Sequence, residues 1–235
     1  MWKDRFKNIF GETGNARAAS PERASTSNQR SRLPPGPNHS AASITRHSSG
    51  AEQFFQALRS DDPLFILDLA TASQANISFI TEMGHKLSAE DILGAMDQCF
   101  GDGDFLENQA VPAKAEQFLN QVLNFPEHHF DGCLVWDTFQ FLAPPLLEQF
   151  IGRLLAVMRP GGVLLAFFST DEKITRMPVY SYRIQDAKTL LLVPRDTSRP
   201  VQYFNNRSVE RLFSETQSVK FFLSRDHLRE VIIRR

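Results

Sequence analysis

Residues 130–169 constrain the fold more than any other part of the chain. They begin with a short, nearly continuous apolar run at 132–136, as expected for a strand that is covered on both faces. From Pro144 onward the apolar residues recur at steps of three and four, which predicts an amphipathic helix. A Pro-Gly-Gly turn at 160–162 ends that helix, and a second apolar run follows at 163–168. The stretch therefore predicts a right-handed strand–helix–strand crossover in a parallel sheet.

The same stretch resembles the second half of the class I S-adenosylmethionine (SAM) dependent methyltransferases. In that family a strand of the form FDxVxxxD is followed by a helix that ends in LxPGGxL, and here the chain has FDGCLVWD and then MRPGGVL. The resemblance covers about forty residues. It implies a doubly wound α/β fold of the Rossmann-like type with a mostly parallel sheet, and it implies SAM as the cofactor.

The first fifty residues differ from the rest in composition. They carry eight Lys and Arg against three Asp and Glu, so the other 185 residues carry the acidic excess that brings the net charge to −1. Residues 11–50 are rich in Ser, Pro and Arg, with Leu33 and Ile44 as the only large aliphatic residues. Such a segment buries too little apolar surface to offset the entropy of folding. We therefore predict a disordered basic tail at 1–50 and a folded domain at 51–235.

The tip of this tail, residues 1–10, is amphipathic. Trp2, Phe6, Ile9 and Phe10 fall on one face of a short helix, with basic residues around it. Such a tip can contact a partner or a membrane surface. The alternative is a short helix with little stability of its own.

Several classes of protein are excluded by what the chain lacks. It has no run of eighteen apolar residues and no apolar core of a signal peptide, which predicts a cytoplasmic protein. Cys99 and Cys133 have no partner at metal spacing, so we expect neither a disulfide framework nor a zinc site. The Asp-Gly-Asp at 102–104 lacks the further oxygens of a calcium loop, so we expect no metal there.

The loop after the first predicted strand is where the chain departs from the family. The strand, at 64–70, contains Asp68 near its end, and the resemblance implies a DxGxGxG-like loop that starts there and lies against SAM. Asp68 is present, but Ala70, Ala72 and Gln74 stand where glycines are expected. Alanine can replace glycine where φ is negative, whereas Gln74 adds bulk. The resemblance implies that these four residues form a degenerate cofactor loop.

Two acids end the second predicted strand, at 85–92. Glu90 and Asp91 follow Asp68 by about twenty residues, the spacing at which nucleotide-binding α/β folds place a carboxylate on the ribose hydroxyls. Acids in this position also cap helices, and Ile92 begins an apolar helical pattern. Both interpretations stay open.

Asp137 directly follows the strand at 132–136. Ligands of open α/β sheets lie at the carboxyl ends of the strands, so Asp137 is a candidate for cofactor or substrate contact. His128 and His129 precede the same strand and are expected on a surface loop at the opposite end.

The remaining segments complete the predicted sheet. Residues 97–112 are predicted as loop, so either the sheet lacks a third strand on that edge or the strand lies within 105–111. A helix is predicted at 113–124, and an inserted hairpin at 180–193 is expected to cover the substrate side. A helix from Asn205 and Asn206 and two strands, at 219–223 and 228–233, predict the C-terminal antiparallel pair.

Two functions fit these patterns. The first is SAM-dependent methyl transfer to an unidentified small-molecule or protein acceptor, a reaction that depends mainly on alignment and identifies no catalytic residue in the sequence. The second is a noncatalytic binding or scaffold protein that has lost the cofactor loop. Nucleic acid is not expected as a partner, because the predicted folded domain is acidic and the arginines of the tail are scattered.

Overall fold

A computed structural model describes residues 42–101, 103–223 and 228–235. The strands are β1 (Ile44–His47), β2 (Phe65–Asp68), β3 (Lys86–Ala89), β4 (Phe130–Trp136), β5 (Met158–Ser169), β6 (Arg176–Asp186), β7 (Thr189–Pro200), β8 (Ser218–Leu223) and β9 (Leu228–Arg234). The helices are α1 (Ser49–Ala57), α2 (Gln74–Glu82), α3 (Ile92–Phe100), α4 (Phe105–Gln109), α5 (Pro112–Gln121), α6 (Pro144–Val157) and α7 (Asn206–Leu212), and a 3-10 turn covers Thr138–Phe141. None of the helices in these ranges is long and apolar enough to cross a membrane.

Six strands form the main sheet, in the order β3-β2-β4-β5-β9-β8. The first four strands are parallel, whereas β9 is antiparallel to β5 and β8 is antiparallel to β9. Helices α3, α5, α6 and α7 share one apolar core on one face, and α1 and α2 share a second core on the other face. The predicted doubly wound α/β fold with a C-terminal antiparallel pair is therefore confirmed.

The predicted crossover is formed by β4, α6 and β5. Pro144 and Pro145 occupy the first turn of α6, where the missing N–H groups have no helical partner to lose. The predicted Pro-Gly-Gly turn lies inside β5, which begins at Met158 directly after α6. It forms an irregularity in the parallel pairing with β4, between Met158 and Val163, where Gly161 has a φ of 79°, a left-handed conformation that favours glycine.

A second, three-stranded sheet has the order β1-β7-β6, with both pairs antiparallel. We call it the cap sheet. Its strands β6 and β7 are the hairpin predicted at 180–193, but each strand is 11 or 12 residues long. Tyr182, Ile184, Leu190 and Leu192 pack into the same core as α1, α2 and one face of the main sheet. The hairpin is therefore an integral layer of the domain.

The predicted boundary at residue 50 is wrong for residues 44–50. They form β1 and the start of α1, where the Ser48 hydroxyl caps the helix by accepting from the Ala51 N–H. Sequence patterns do not indicate this strand, because the side chain that β1 buries is the charged side chain of Arg46. The tail and its tip up to residue 41 lie outside the described residues, so the prediction of disorder and of a partner or membrane contact remains a prediction.

The prediction of a loop at 97–112 is also wrong in part. Helix α3 continues to Phe100, and residues 105–109 form α4. The Asp104 carboxylate caps α4 by accepting from the Leu106 and Glu107 N–H groups, both at 3.0 Å. Because residues 105–109 are helical, they supply no third strand, and in the described chain the sheet ends at β3. Asp102 lies outside the described residues.

One buried carboxylate attaches β1 and α1 to the main sheet. Glu230 of β9 accepts from the Arg46 guanidinium at 2.5 Å, from the Ser48 hydroxyl at 3.0 Å and from the Gly50 N–H at 2.5 Å. Both charged side chains are almost fully buried. A charge that is removed from water in this way is stable only with its partners.

We predict that Arg46→Ala lowers the free energy of unfolding by about 3 kcal/mol, because it leaves the Glu230 charge buried without its ion pair. Urea denaturation of the variant and of the wild type measures the change. Arg59→Ala, at an exposed position, is the matched control and should change the stability by less than about 0.5 kcal/mol. Equal stabilities of the two variants would contradict the role of Arg46.

Candidate cofactor site

The two acids predicted at the carboxyl ends of the strands lie at the same edge of the sheet. Asp68 is the last residue of β2 and pairs in register with Leu134 of β4. Asp137 follows Trp136, the last residue of β4. The carboxyl ends of parallel strands are where ligands bind in folds of this kind. This edge is therefore the candidate site.

The carboxylate of Asp68 is fully buried, and both of its oxygens accept hydrogen bonds from side chains. Trp136 Nε1 donates to Oδ1 at 2.6 Å, and Asn76 Nδ2 donates to Oδ2 at 2.8 Å. Burial raises the pKa of Asp68 to about 6, against the lowering effect of these two hydrogen bonds. Asp68 thus connects β2 to β4 and α2, and it presents no oxygen to a ligand.

Trp136 has a strained backbone that turns its indole into this edge. Its φ is 56°, which is costly for a bulky side chain, and the register of β4 against β5 shifts between Leu134 and Trp136. The indole ring stacks on the Tyr182 ring of the cap sheet, with centroids 4.9 Å apart and planes 4° from parallel. The stack and the hydrogen bond to Asp68 offset the cost of this conformation.

Asn76 joins the cap sheet to the site. It lies in the first turn of α2 and is buried. Besides its bond to Asp68, its Nδ2 donates to the Tyr182 carbonyl oxygen at 3.1 Å, and its Oδ1 accepts from the Ile184 N–H at 2.9 Å. One amide therefore fixes the edge of β6 against the carboxyl end of β2.

Asp137 is buried too, but its carboxylate is only partly satisfied. Burial raises its pKa to about 7, and the nearby Tyr182 hydroxyl and the positive charge of Arg199 act in the opposite direction. Its Oδ2 makes no hydrogen bond with any residue that the structure describes. The Arg199 guanidinium forms its ion pair with Asp97 instead. Asp137 is thus enclosed beneath the cap sheet.

The degenerate loop adopts a conformation that needs no glycine. In the described chain the non-glycine residues with positive φ are Leu123, His128 and Trp136, so Ala70 and Ala72 take ordinary φ values. Gln74 is exposed, and its Nε2 donates to the Ser78 hydroxyl at 3.1 Å along the surface of α2. The expected bulk of Gln74 therefore points along the helix and does not fill the site.

Glu90 and Asp91 are both engaged by the chain itself. Asp91 is the N-cap of α3, and its Oδ1 accepts from the Gly94 N–H at 3.0 Å, as the capping interpretation predicts. Glu90 Oε1 accepts from the Leu123 N–H at 2.9 Å, while burial raises its pKa against this bond. A separate open cavity of about 320 Å³ lies beside both acids, towards Gln98 and Gln121.

A small cavity remains between the loop after β2 and the cap sheet. Its volume is about 180 Å³, and Ala70, Ala72 and Asp91 line it, together with β6 residues from Tyr180 to Arg183. Ligand pockets of proteins span about 300–1,000 Å³. Of the predicted cofactor residues, the structure brings Ala70, Ala72 and Asp91 to one cavity. It encloses Asp68 and Asp137 and leaves Gln74 outside.

The sequence did not reveal three residues of this site: Asn76, Trp136 and Tyr182. Asn76 carried a usable signal, because a polar residue among the buried positions of a predicted helix needs a partner. The contacts of Trp136 and Tyr182 join residues far apart in the chain and have no sequence pattern. His128 and His129 lie before β4, at the amino end of the sheet, and take no part in the site.

The comparisons with known proteins give similarities to solved structures. No protein-family profile matches the chain, and no curated protein sequence does. A Burkholderia thailandensis 1,6-didemethyltoxoflavin-N1-methyltransferase with bound S-adenosylhomocysteine is similar at 16% identity, over 79% of this chain and 76% of that chain, with a TM-score of 0.44. A SAM-dependent methyltransferase from Aquifex aeolicus is similar at 12% identity, over 80% of this chain and 89% of that chain, with a TM-score of 0.43.

Both TM-scores are below 0.5, so the order and direction of the strands decide the fold. A mostly parallel sheet that ends in an antiparallel pair is the arrangement that the resemblance predicts. The chain has a class I methyltransferase-like fold.

The residues of this methyltransferase-like fold do not fit SAM in the described conformation. Asp68 is fully hydrogen-bonded, and the Trp136–Tyr182 stack lies over the carboxyl end of β4. The cavity that remains is smaller than the pockets that hold ligands of that size. Thus the fold is retained while the ligand site is filled by the chain's own side chains.

The buried carboxyls predict how stability depends on pH. Asp137 ionises near pH 3.8 in the unfolded chain and near pH 7 in the folded one, so the folded protein holds the extra proton between these values. Its contribution to stability is fully present below about pH 3.8 and is lost as the pH rises through about 7. Asp68 acts in the same direction up to about pH 6.

We predict that Asp137→Asn gains stability relative to the wild type as the pH rises from 5 to 8, because an amide carries no charge to bury. The gain is on the order of 3 kcal/mol at most, since each unit of pKa shift corresponds to about 1.4 kcal/mol. Urea denaturation at both pH values measures it. Asp62→Asn, at an exposed site, is the control, and a difference from the wild type that does not grow with pH would refute the prediction.

Proposed function

We propose that this chain is a noncatalytic methyltransferase-fold protein that acts by binding and does not use SAM. The observation that carries the proposal is the Trp136–Tyr182 stack, which covers the carboxyl end of β4 while Trp136 and Asn76 occupy both oxygens of Asp68. The edge of the sheet that would hold the cofactor is in this way part of the hydrophobic core.

The cost of opening this edge explains why SAM binding is not expected. A cofactor in the site requires the loss of the Trp136 bond to Asp68, of two Asn76 bonds to β6 and of the aromatic stack. At about 1 kcal/mol for each hydrogen bond and about 1 kcal/mol for the stack, the cost is about 4 kcal/mol. Such a cost weakens an apparent affinity on the order of 10³-fold.

SAM-dependent methyl transfer is the second candidate. It is favoured by one observation, the position of Asp68 and Asp137 at the carboxyl ends of neighbouring parallel strands. In that case the β6–β7 hairpin moves away before SAM binds, and the methyl acceptor, a small molecule or a protein, enters the same opening. The two candidates differ in whether the chain binds SAM at all.

We predict that calorimetric titration of the full chain with SAM and with S-adenosylhomocysteine gives no saturable heat up to millimolar ligand. Micromolar binding that is abolished by Asp68→Asn, and retained by the exposed control Asp62→Asn, is the result that would establish the second candidate instead. A methyltransfer assay has no part in this test, because its outcome depends on the choice of acceptor.

The fluorescence of Trp136 provides a second test of whether SAM binds and opens the site. The chain has two tryptophans, so in a Trp2→Phe background Trp136 is the only emitter. Because Trp136 is buried and stacked, we predict blue-shifted emission that millimolar SAM leaves unchanged. Tyr182→Ala removes the stacking partner and should shift the emission to the red. The size of this shift is the reference for an opened site. A shift of that size on addition of SAM to the unchanged site would contradict the proposal.

A further inference from the structure

The small cavity between the cap sheet and the loop after β2 carries an unusual number of hydrogen-bond donors. Arg183 on β6 and Arg195 on β7 line it, together with the hydroxyl groups of Thr71, Ser181 and Tyr180. In the hairpin Arg183 pairs with Leu191 and Tyr180 pairs with Pro194, so the two arginines reach the cavity from different levels of the cap sheet. Arg183 and Arg195 thus give one wall of the cavity two positive charges.

Neither arginine is neutralised within the described chain. The side chains of Arg183 and Arg195 form no ion pair or hydrogen bond with the residues that the structure describes, whereas those of Arg46, Arg159 and Arg199 each pair with a carboxylate. Among the described side chains that line the cavity, Asp91 is the acid, and its Oδ1 already accepts from the Gly94 N–H. Two guanidinium groups with free donors favour an oxyanion, since their planar fork matches phosphate and carboxylate oxygens.

The size of the cavity selects a small ligand. A volume of about 180 Å³ is that of about six water molecules at ~30 Å³ each. Inorganic phosphate is smaller than this space and fits in it, whereas SAM is too large for it. Phosphate also accepts more hydrogen bonds than a carboxylate does, and the cavity offers donors on both sides, from the loop after β2 and from the hairpin.

We infer that Arg183 and Arg195, with Thr71 and Ser181, form a binding site for a phosphate group, either as the free anion or as part of a small phosphate ester. The inference rests on the proposed function, because the cavity is the space left once the cap sheet has closed over the carboxyl end of β4. It gives the proposed binding protein a ligand class, small phosphorylated molecules.

The test is calorimetric titration of the full chain with inorganic phosphate, at constant ionic strength maintained with chloride. We expect saturable binding at one site, weakened at least tenfold by Arg183→Ala and by Arg195→Ala, and weakened less by Arg183→Lys, which keeps the charge but loses the fork. Arg207→Ala removes the same charge from an exposed position on α7 and should leave the affinity unchanged. Circular dichroism checks that the variants fold, which we expect because both arginines are exposed.

Asp91→Asn should raise the affinity for phosphate, whereas the arginine variants lower it. It removes the negative charge from the cavity wall and keeps an oxygen that caps α3, so phosphate should bind severalfold tighter.

In a second arm of the experiment, glycerol 3-phosphate replaces phosphate. Tighter binding than that of the free anion identifies a phosphate ester as the ligand, and weaker binding identifies the free anion.

The inference is overturned by an absence of saturable phosphate binding, by affinities that the arginine variants leave unchanged, or by acetate binding as tightly as phosphate. These outcomes are distinct from failure of the proposed function. Micromolar SAM binding would refute the noncatalytic proposal, whereas absence of phosphate binding with no SAM binding would refute the phosphate site alone.

Discussion

The buried carboxylate of Asp68 is the interaction on which the candidate site depends. An acid at the end of a parallel strand would be costly to bury alone, and here two donors from different elements satisfy it. One donor, Asn76, is also bonded to the edge of β6, so its side chain links the cap sheet to the carboxyl end of β2. Burial still raises the pKa of Asp68, against the lowering effect of the two hydrogen bonds. The closed site is therefore continuous with the hydrophobic core around it.

Much of the fold could be predicted from the sequence because its signals are local. The apolar runs, the helical period from Pro144 and the Pro-Gly-Gly turn each determine conformation within a few residues, and the crossover they predict is the one observed. The errors occurred where tertiary contacts decide. Strand β1 buries an arginine whose partner, Glu230, lies 184 residues away, and no pattern in the sequence at 44–47 indicates that the arginine is inside.

The position of the candidate site could be predicted from the sequence, but whether the site is open or closed could not. The order of strands follows from local patterns, and it brings Asp68 and Asp137 to one edge as expected. Whether that edge is open depends on Tyr182, whose backbone is held by a side chain 106 residues earlier in the chain. The substituted glycines indicated a changed loop, and the structure shows that the backbone there is ordinary. What excludes a large ligand is the hairpin, which sequence patterns described only as an insertion.

Strands β1 and β7 of the cap sheet are far apart in the sequence, and this separation affects the order in which the parts of the molecule fold. During synthesis β1 leaves the ribosome early, yet its pairing partner in β7 follows about 150 residues later, and Glu230 follows later still. Strand pairing over such distances is slow, because the chain must close a long loop before the contacts stabilise it. The parallel core around β4 and β5 can form first, and the cap sheet can join it only afterwards. Tyr182 follows β2, β4 and β5 in the chain, so the carboxyl edge of the sheet is closed only when the hairpin has been made and has joined that core.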